Sequence, residues 1–320
     1  MLENTKINLD IDKELFTPLS ENEKNFEQVV RPSVGYWADA WRRLKNNKVA
    51  LFSLGLIIVI VLFAIFGPIV MEKTRGFNYY ETNLQGTDIR PNGEHWFGTD
   101  NLGRDLFVRV MYGSRYSLII AIAAAAINLV IGVLYGGIAG FFGGKVDNVM
   151  MRIVDVLYSI PTQIYVIILM ATFKREGSTG LGTIILAMAI SYWVGMARIV
   201  RGDILQLKQQ EFVLAAKALG ASKSRILFKH LLPNSLGSIL VTLTLFIPQA
   251  IFTEAFLSFI GLGINPPLAS LGTLSNDASG FLNTAAYQLL FPAGAICLII
   301  LAFNLFGDGL TEALDPKNKK

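Results

Sequence analysis

Charge is scarce in this chain. Asp, Glu, Lys and Arg make up 16% of its 320 residues, against about 25% in soluble domains. Cysteine is scarcer: Cys297 stands alone inside an apolar run, which excludes a disulfide within the chain. The two histidines, His95 and His230, are too far apart to give a metal-ligand spacing. The first 35 residues lack the early apolar stretch that a secretory signal needs. The chain shows no Ser/His/Asp arrangement, no paired catalytic carboxylates and no repeat of solenoid length. Its nearest approach to a phosphate loop is Gly143-Gly144-Lys145. Ala139 and Val146 occupy the places where that loop needs glycine and a hydroxyl residue, so nucleotide binding by this chain is not expected. The net charge of +4 comes from basic residues set between apolar stretches rather than on one dense patch, which argues against nucleic acid as a partner.

What the chain has is hydrophobicity: 52% of residues are apolar and the mean hydropathy is +0.48. Six apolar runs, over residues 49–70, 116–142, 149–173, 181–200, 236–260 and 287–306, each reach the ~20 residues needed to cross a hydrocarbon core of about 30 Å. An all-α integral membrane protein with about six spans is expected. Prolines within these runs, Pro161, Pro248 and Pro292, do not veto spans, because neighbouring helices can re-satisfy the freed backbone groups. Before the first run, Trp37 and Trp41 alternate with Arg42, Arg43, Lys45 and Lys48, the pattern of an interfacial elbow helix over 35–48. The remaining organisation reads as a tail over 1–34, a first span over 49–70, an outer loop over 71–115, a five-helix core over 116–306 and a tail over 307–320. Lys and Arg concentrate on the loops that lie on the same side as both termini, Lys145, Arg152, Arg201, Lys208 and Lys223 among them, which predicts a cytoplasmic N-terminus and C-terminus.

Acids within or near spans are functional candidates. Asp147 and Asp155 lie near the inner end of the third run, with Arg152 nearby, and Glu254 lies deep in the fifth. The inner segment 201–235 is long for a connector. Phe212, Ala215, Ala216 and Leu219 fall at i, i+3, i+4 and i+7 on one helical face. Gly220 then ends that helix, Ser222 caps a second, and Pro233 stops it. The product is a helix–turn–helix under the membrane, placed either to meet another protein or to rest on lipid.

The stretch Glu211-Phe-Val-Leu-Ala-Ala-Lys-Ala-Leu-Gly220, with Leu232-Pro233, resembles the Glu-Ala-Ala loop of ABC-importer permeases. Ala215, Ala216, Gly220, Leu232 and Pro233 match in register; the pattern's Glu falls on Leu214 and its Ile on His230, while Glu211 supplies an acid three residues earlier. Trp96-Phe-Gly-Thr-Asp-Asn-Leu-Gly-Arg-Asp105 resembles the outer-loop signature of the peptide/nickel branch, C-type subunit. That motif carries Gly98, Thr99, Asp100, Gly103, Arg104 and Asp105. Glu254-Ala-Phe-Leu-Ser-Phe-Ile-Gly-Leu-Gly263 and the ending Gly307-Asp-Gly-Leu…Ala-Leu-Asp-Pro316 resemble the same branch, although the family's Pro-Ser-Trp-Gly appears as Leu268-Ala-Ser-Leu-Gly272.

The resemblance implies the type I ABC-importer permease architecture. It also implies a transport subunit of the bacterial plasma membrane that is not itself an enzyme and binds no cofactor. ATP and Mg would sit on two partner ATPase subunits docked at Glu211, Ala215, Ala216, Lys217, Gly220 and Pro233. The other implied partners are a homologous B-type permease and an extracytoplasmic binding protein. Oligopeptides or dipeptides are the implied cargo, with nickel complexes as the alternative in the family. An ion-gradient transporter using Asp155 or Glu254 as a proton site is the rival class; it usually shows two similar halves, which are not seen here.

Overall fold

The structure is a computed structural model that describes residues 35–173 and 178–314. The tail 1–34, the cations Lys174, Arg175, Lys317, Lys319 and Lys320, and the Asp315-Pro316 ending lie outside the described residues. The chain divides into two compact units, residues 1–39 and 40–320. Of the first, the described part is the opening of helix α1 (Tyr36–Asn46). Among the described residues no strand forms; Thr99 and Asp105 make an isolated bridge.

In the larger unit, Asn47 separates α1 from α2 (Lys48–Arg75), and its side chain accepts from the Ala50 amide at 3.0 Å as an N-cap. A capped outer loop leads to α3 (Leu106–Phe142), and then follow α4 (Gly144–Ser159), α5 (Thr162–Phe173) and α6 (Leu181–Leu207). The inner segment carries α7 (Glu211–Ala218). Helix α8 (Leu236–Leu257) ends in a π-turn, Ser258–Leu262; α9 (Leu271–Ser279) and α10 (Tyr287–Leu314) complete the chain. Among the described residues, five helices are long and apolar enough to cross a membrane, and the α4–α5 pair makes a sixth if it is one bent span.

Three sequence expectations change. Helix α3 begins at Leu106, not at 116, so residues 106–115 leave the outer loop; Asp105 caps it by accepting from the Val108 amide at 2.9 Å. The third run is broken by 86° between Ser159 and Thr162. Pro161 restricts its predecessor to extended backbone, and Ile160 sits at φ −94°, ψ 129°. Pro233 stops nothing. The chain coils through Lys223–Arg225, a π-turn over Ile226–Leu231 and Leu232–Asn234. The Leu232 amide reaches back to the Leu227 carbonyl, and Asn234 Nδ2 donates to the His230 carbonyl at 2.6 Å. The π-turn before Pro233 lets the chain coil on past it.

The closest helix packing is α3 against α6. Gly132, Gly136 and Gly140 lie four residues apart on one face of α3. A Cβ at Gly136 would strike the Ala197 carbonyl oxygen, and one at Gly140 would stand 2.9 Å from that of Arg201. Small residues at this spacing let two backbones touch. Above this seam a core of Ile120, Met188, Ile251 and Leu271 joins α3, α6, α8 and α9. Below it, Val200, Ile204, Val213 and Leu231 tie the inner segment to the spans.

Candidate functional site

On the inner segment, one residue of α7 is fully buried. That residue, Val213, sits among Ile226, Leu227 and Leu231, with Ala216 half-buried beside it. The rest of its apolar surface faces outward: Phe212 and Leu214 are exposed, and Leu219 is 88% exposed. Glu211, Ala215, Lys217, Gly220 and Pro233 are exposed as well. Glu211 occupies the first helical turn, where a negative charge suits the helix dipole. Gly220 has φ +74° with open space around its missing Cβ, so the turn itself, not crowding, asks for glycine. The Ser222 hydroxyl accepts from the Arg225 amide at 3.3 Å and starts the next coil.

The outer-loop motif comes together as a knot. Asp100 Oδ1 accepts from the Leu102 and Arg104 amides, both at 2.9 Å; its Oδ2 accepts from Arg104 Nε at 2.8 Å and from Arg109 Nη1. Burial pushes the Asp100 carboxyl up, but Arg109, Arg104 and the two amides together hold it below the usual carboxylate range. Thr99 Oγ1 donates to the Gly86 carbonyl at 2.6 Å and accepts from the Ile89 amide at 2.9 Å. Asp105, besides capping α3, lies 2.9 Å from His95 Nδ1. Gly98 and Gly103 both have positive φ, and a Cβ on either would run into backbone carbonyls, of Ile89 and Asn83 respectively. Tyr287 and Gln288, opening α10, donate to the Thr99 carbonyl at 3.0 and 3.1 Å and so tie the knot to the last span.

The intramembrane acids do not meet. Asp147 pairs with Arg201 at 2.5 and 2.6 Å, and Asp155 with Arg198 at 2.6 Å. Both arginines stand on α6; the sequence neighbour Arg152 is not the partner found for either acid. Glu254 is fully buried and accepts from Ser117 Oγ and Ser258 Oγ, each at 2.8 Å. Ser117 Oγ in turn accepts from the Leu271 amide at 3.2 Å, so one carboxylate links α3, α8 and α9. Two residues of the outer region escaped the sequence reading: Arg109, which falls inside the expected outer loop 71–115, and Asp277, which carries no local signal. Among the described residues no cluster of His, Cys, Asp and Glu could hold a metal.

The chain thus joins a helical membrane body, an exposed inner helix and a knotted outer loop. The family described as the binding-protein-dependent transport system inner membrane component matches residues 132–320. The N-terminal transmembrane domain of oligopeptide transport permease C matches residues 35–91. The chain is 50% identical, over 97% of its length and 99% of the relative's, to the oligopeptide transport system permease protein OppC of Bacillus subtilis. It is 46% identical over 97% of its length, and 95% of the relative's, to the dipeptide permease DppC of the same organism. To OppC of Escherichia coli it is 42% identical over 94% of its length and 98% of the relative's. Among solved structures, an inward-facing MetNI methionine ABC transporter aligns with TM-score 0.53 at 18% identity, over 65% of this chain and 96% of that one, a likeness of fold. The chain belongs to the binding-protein-dependent permease family. Within it, the chain is a C-type permease subunit of an ABC transporter, a multi-pass transport component that works with other subunits.

Proposed function

We propose that this chain forms half of the translocation path of an ATP-driven importer of short peptides, oligopeptides or dipeptides. The observation that carries the reading is near-full-length likeness to permeases named for those two cargoes. A homologous B-type permease supplies the other half, and an extracytoplasmic binding protein delivers cargo. Two ATPase subunits bind ATP and Mg; this chain binds neither. It lies in a bacterial cytoplasmic membrane with both termini inside, a placement supported by the basic residues on α1 and along 201–229.

The exposed face of α7 supports ATPase docking. Removing an exposed Leu219 from water is worth about 1.5–3 kcal/mol. Val213 anchors α7 to the coil that runs on toward α8. Closure of the ATPases then moves α7, and the permease pair shifts between inward- and outward-open states in proportion to its differential contacts in each. The test is uptake of a labelled peptide library by the whole complex, with and without this subunit. Uptake that does not need this chain, or that nickel complexes alone sustain, would overturn the cargo assignment; specific ATP binding by the isolated chain would overturn the division of labour.

A further inference from the structure

The outer region holds a polar cleft of about 450 Å³. It opens where the start of α3, the π-turned end of α8 and helix α9 converge, and its lining includes Arg104, Arg109, Ser258, Thr273, Asn276 and Asp277. Sites of this size hold small molecules. Two guanidinium groups here share one buried carboxylate, because Asp100 Oδ2 takes both Arg104 Nε and Arg109 Nη1. Arg109 is 4% exposed. A guanidinium offers a carboxylate two parallel bonds, and the Nε–Nη2 edge is one such fork. On Arg109 that edge is unfilled: Nε is buried without a hydrogen-bond partner, and Nη2 stands 3.9 Å from Asp277 Oδ2, too far for a hydrogen bond. A buried charged donor left without a partner is a costly arrangement. Asp277, half exposed, is the loose neighbour. Burial raises its carboxyl above the usual range, and the pull of Arg109 and Arg104 does not bring it back.

We infer that this cleft binds the terminal carboxylate of a short peptide on the Nε–Nη2 edge of Arg109, and that Asp277 is the stand-in which the peptide displaces. The inference rests on the peptide reading above and gives it a subsite. Asn276, Thr273 and Ser258 supply polar groups along the cleft for the peptide backbone.

Saturation-transfer NMR on the intact transporter in lipid nanodiscs, without its binding protein, tests this. The probes are trialanine, trialanine amide and Ala-Glu-Ala amide. Trialanine is expected to bind, and its amide to bind about tenfold more weakly or worse, as for loss of a charge-assisted hydrogen bond. Asp277→Asn, a near-isosteric substitution at a half-exposed position, is expected to tighten trialanine binding several-fold. Arg109→Lys keeps the charge, removes the fork and is expected to abolish the preference for the free carboxylate. Where that variant fails to assemble, the amide comparison and Asp277→Asn decide alone. Equal binding of trialanine and its amide overturns the inference, as does Asp277→Asn binding no tighter. Ala-Glu-Ala amide binding as well as trialanine overturns the assignment to the terminus. Uptake of the peptide library that depends on this chain, together with no amide effect, sinks the cleft and leaves the peptide reading standing.

Discussion

Replacing Gly136 with alanine adds one methyl group to the seam between α3 and α6. That methyl would overlap the Ala197 carbonyl oxygen and stand 3.0 Å from both the Ala197 carbonyl carbon and its Cα, where carbon–carbon contact needs about 3.5–4.0 Å. All three obstacles are backbone, so no rotamer change relieves them and the helices must part. Overpacking of this kind costs about 1–3 kcal/mol. Against it stands the helix propensity gained on leaving glycine, about 0.5–1 kcal/mol. Gly195 on α6 is the control, since a Cβ there meets nothing within 4 Å. Gly195→Ala gains propensity without the clash and is expected to stabilise. The two variants therefore differ by the overpacking term, about 1–3 kcal/mol, with opposite signs relative to the parent. Reversible unfolding of the purified chain in mixed micelles, titrated with SDS, measures both. A Gly136→Ala chain as stable as Gly195→Ala would refute the backbone contact.

Asp100→Asn removes the carboxylate shared by two guanidinium groups and is expected to destabilise by about 3–5 kcal/mol at neutral pH, as when one partner of a buried pair is lost. The folded Asp100 value lies below the ordinary 3.8, so its contribution is complete above that value and disappears as pH falls through the depressed one. Thermal unfolding in detergent is expected to show the gap between parent and variant closing only in that acid window; a constant gap from pH 7 to pH 3 would count against the pairing. At Gly220, valine is expected to abolish ATP-dependent uptake, since a positive φ costs about 1–2 kcal/mol for ordinary residues. Asparagine, which tolerates that conformation, is expected to retain most of it. Normal uptake and normal ATPase association by Gly220→Val would remove the turn from the coupling argument.

Local signals were legible in the sequence, and distant ones were not. Long apolar runs announce spans because the bilayer imposes a length, and Gly220 and Ser222 announce a turn because backbone sterics and capping act over three or four residues. The start of α3 was hidden because Arg109 and Arg115 look like loop residues; Arg109 becomes tolerable in a helix only when Asp100 arrives from the knot. The partners of Asp147 and Asp155 lie 54 and 43 residues away on α6, so the nearby Arg152 was misleading. Ser117, which satisfies Glu254, lies 137 residues away. Pro233 misled because the rule that proline ends a helix assumes α-spacing, and the π-turn before it does not keep that spacing. The stripe Gly132, Gly136, Gly140 was readable by its four-residue spacing, but only the partner backbone shows why it is there.

The 86° break between α4 and α5 bears on what surrounds the chain. The twelve described residues of α5 rise about 18 Å, against a hydrocarbon core of about 30 Å. The backbone at Ile160 and Pro161 is extended and exposed on the isolated chain, and oil cannot hydrogen-bond such backbone. Irregular backbone survives there only against protein or an aqueous cavity. Where this corner enters the hydrocarbon depth its outer surface is not a lipid-facing wall, and protein or water closes it.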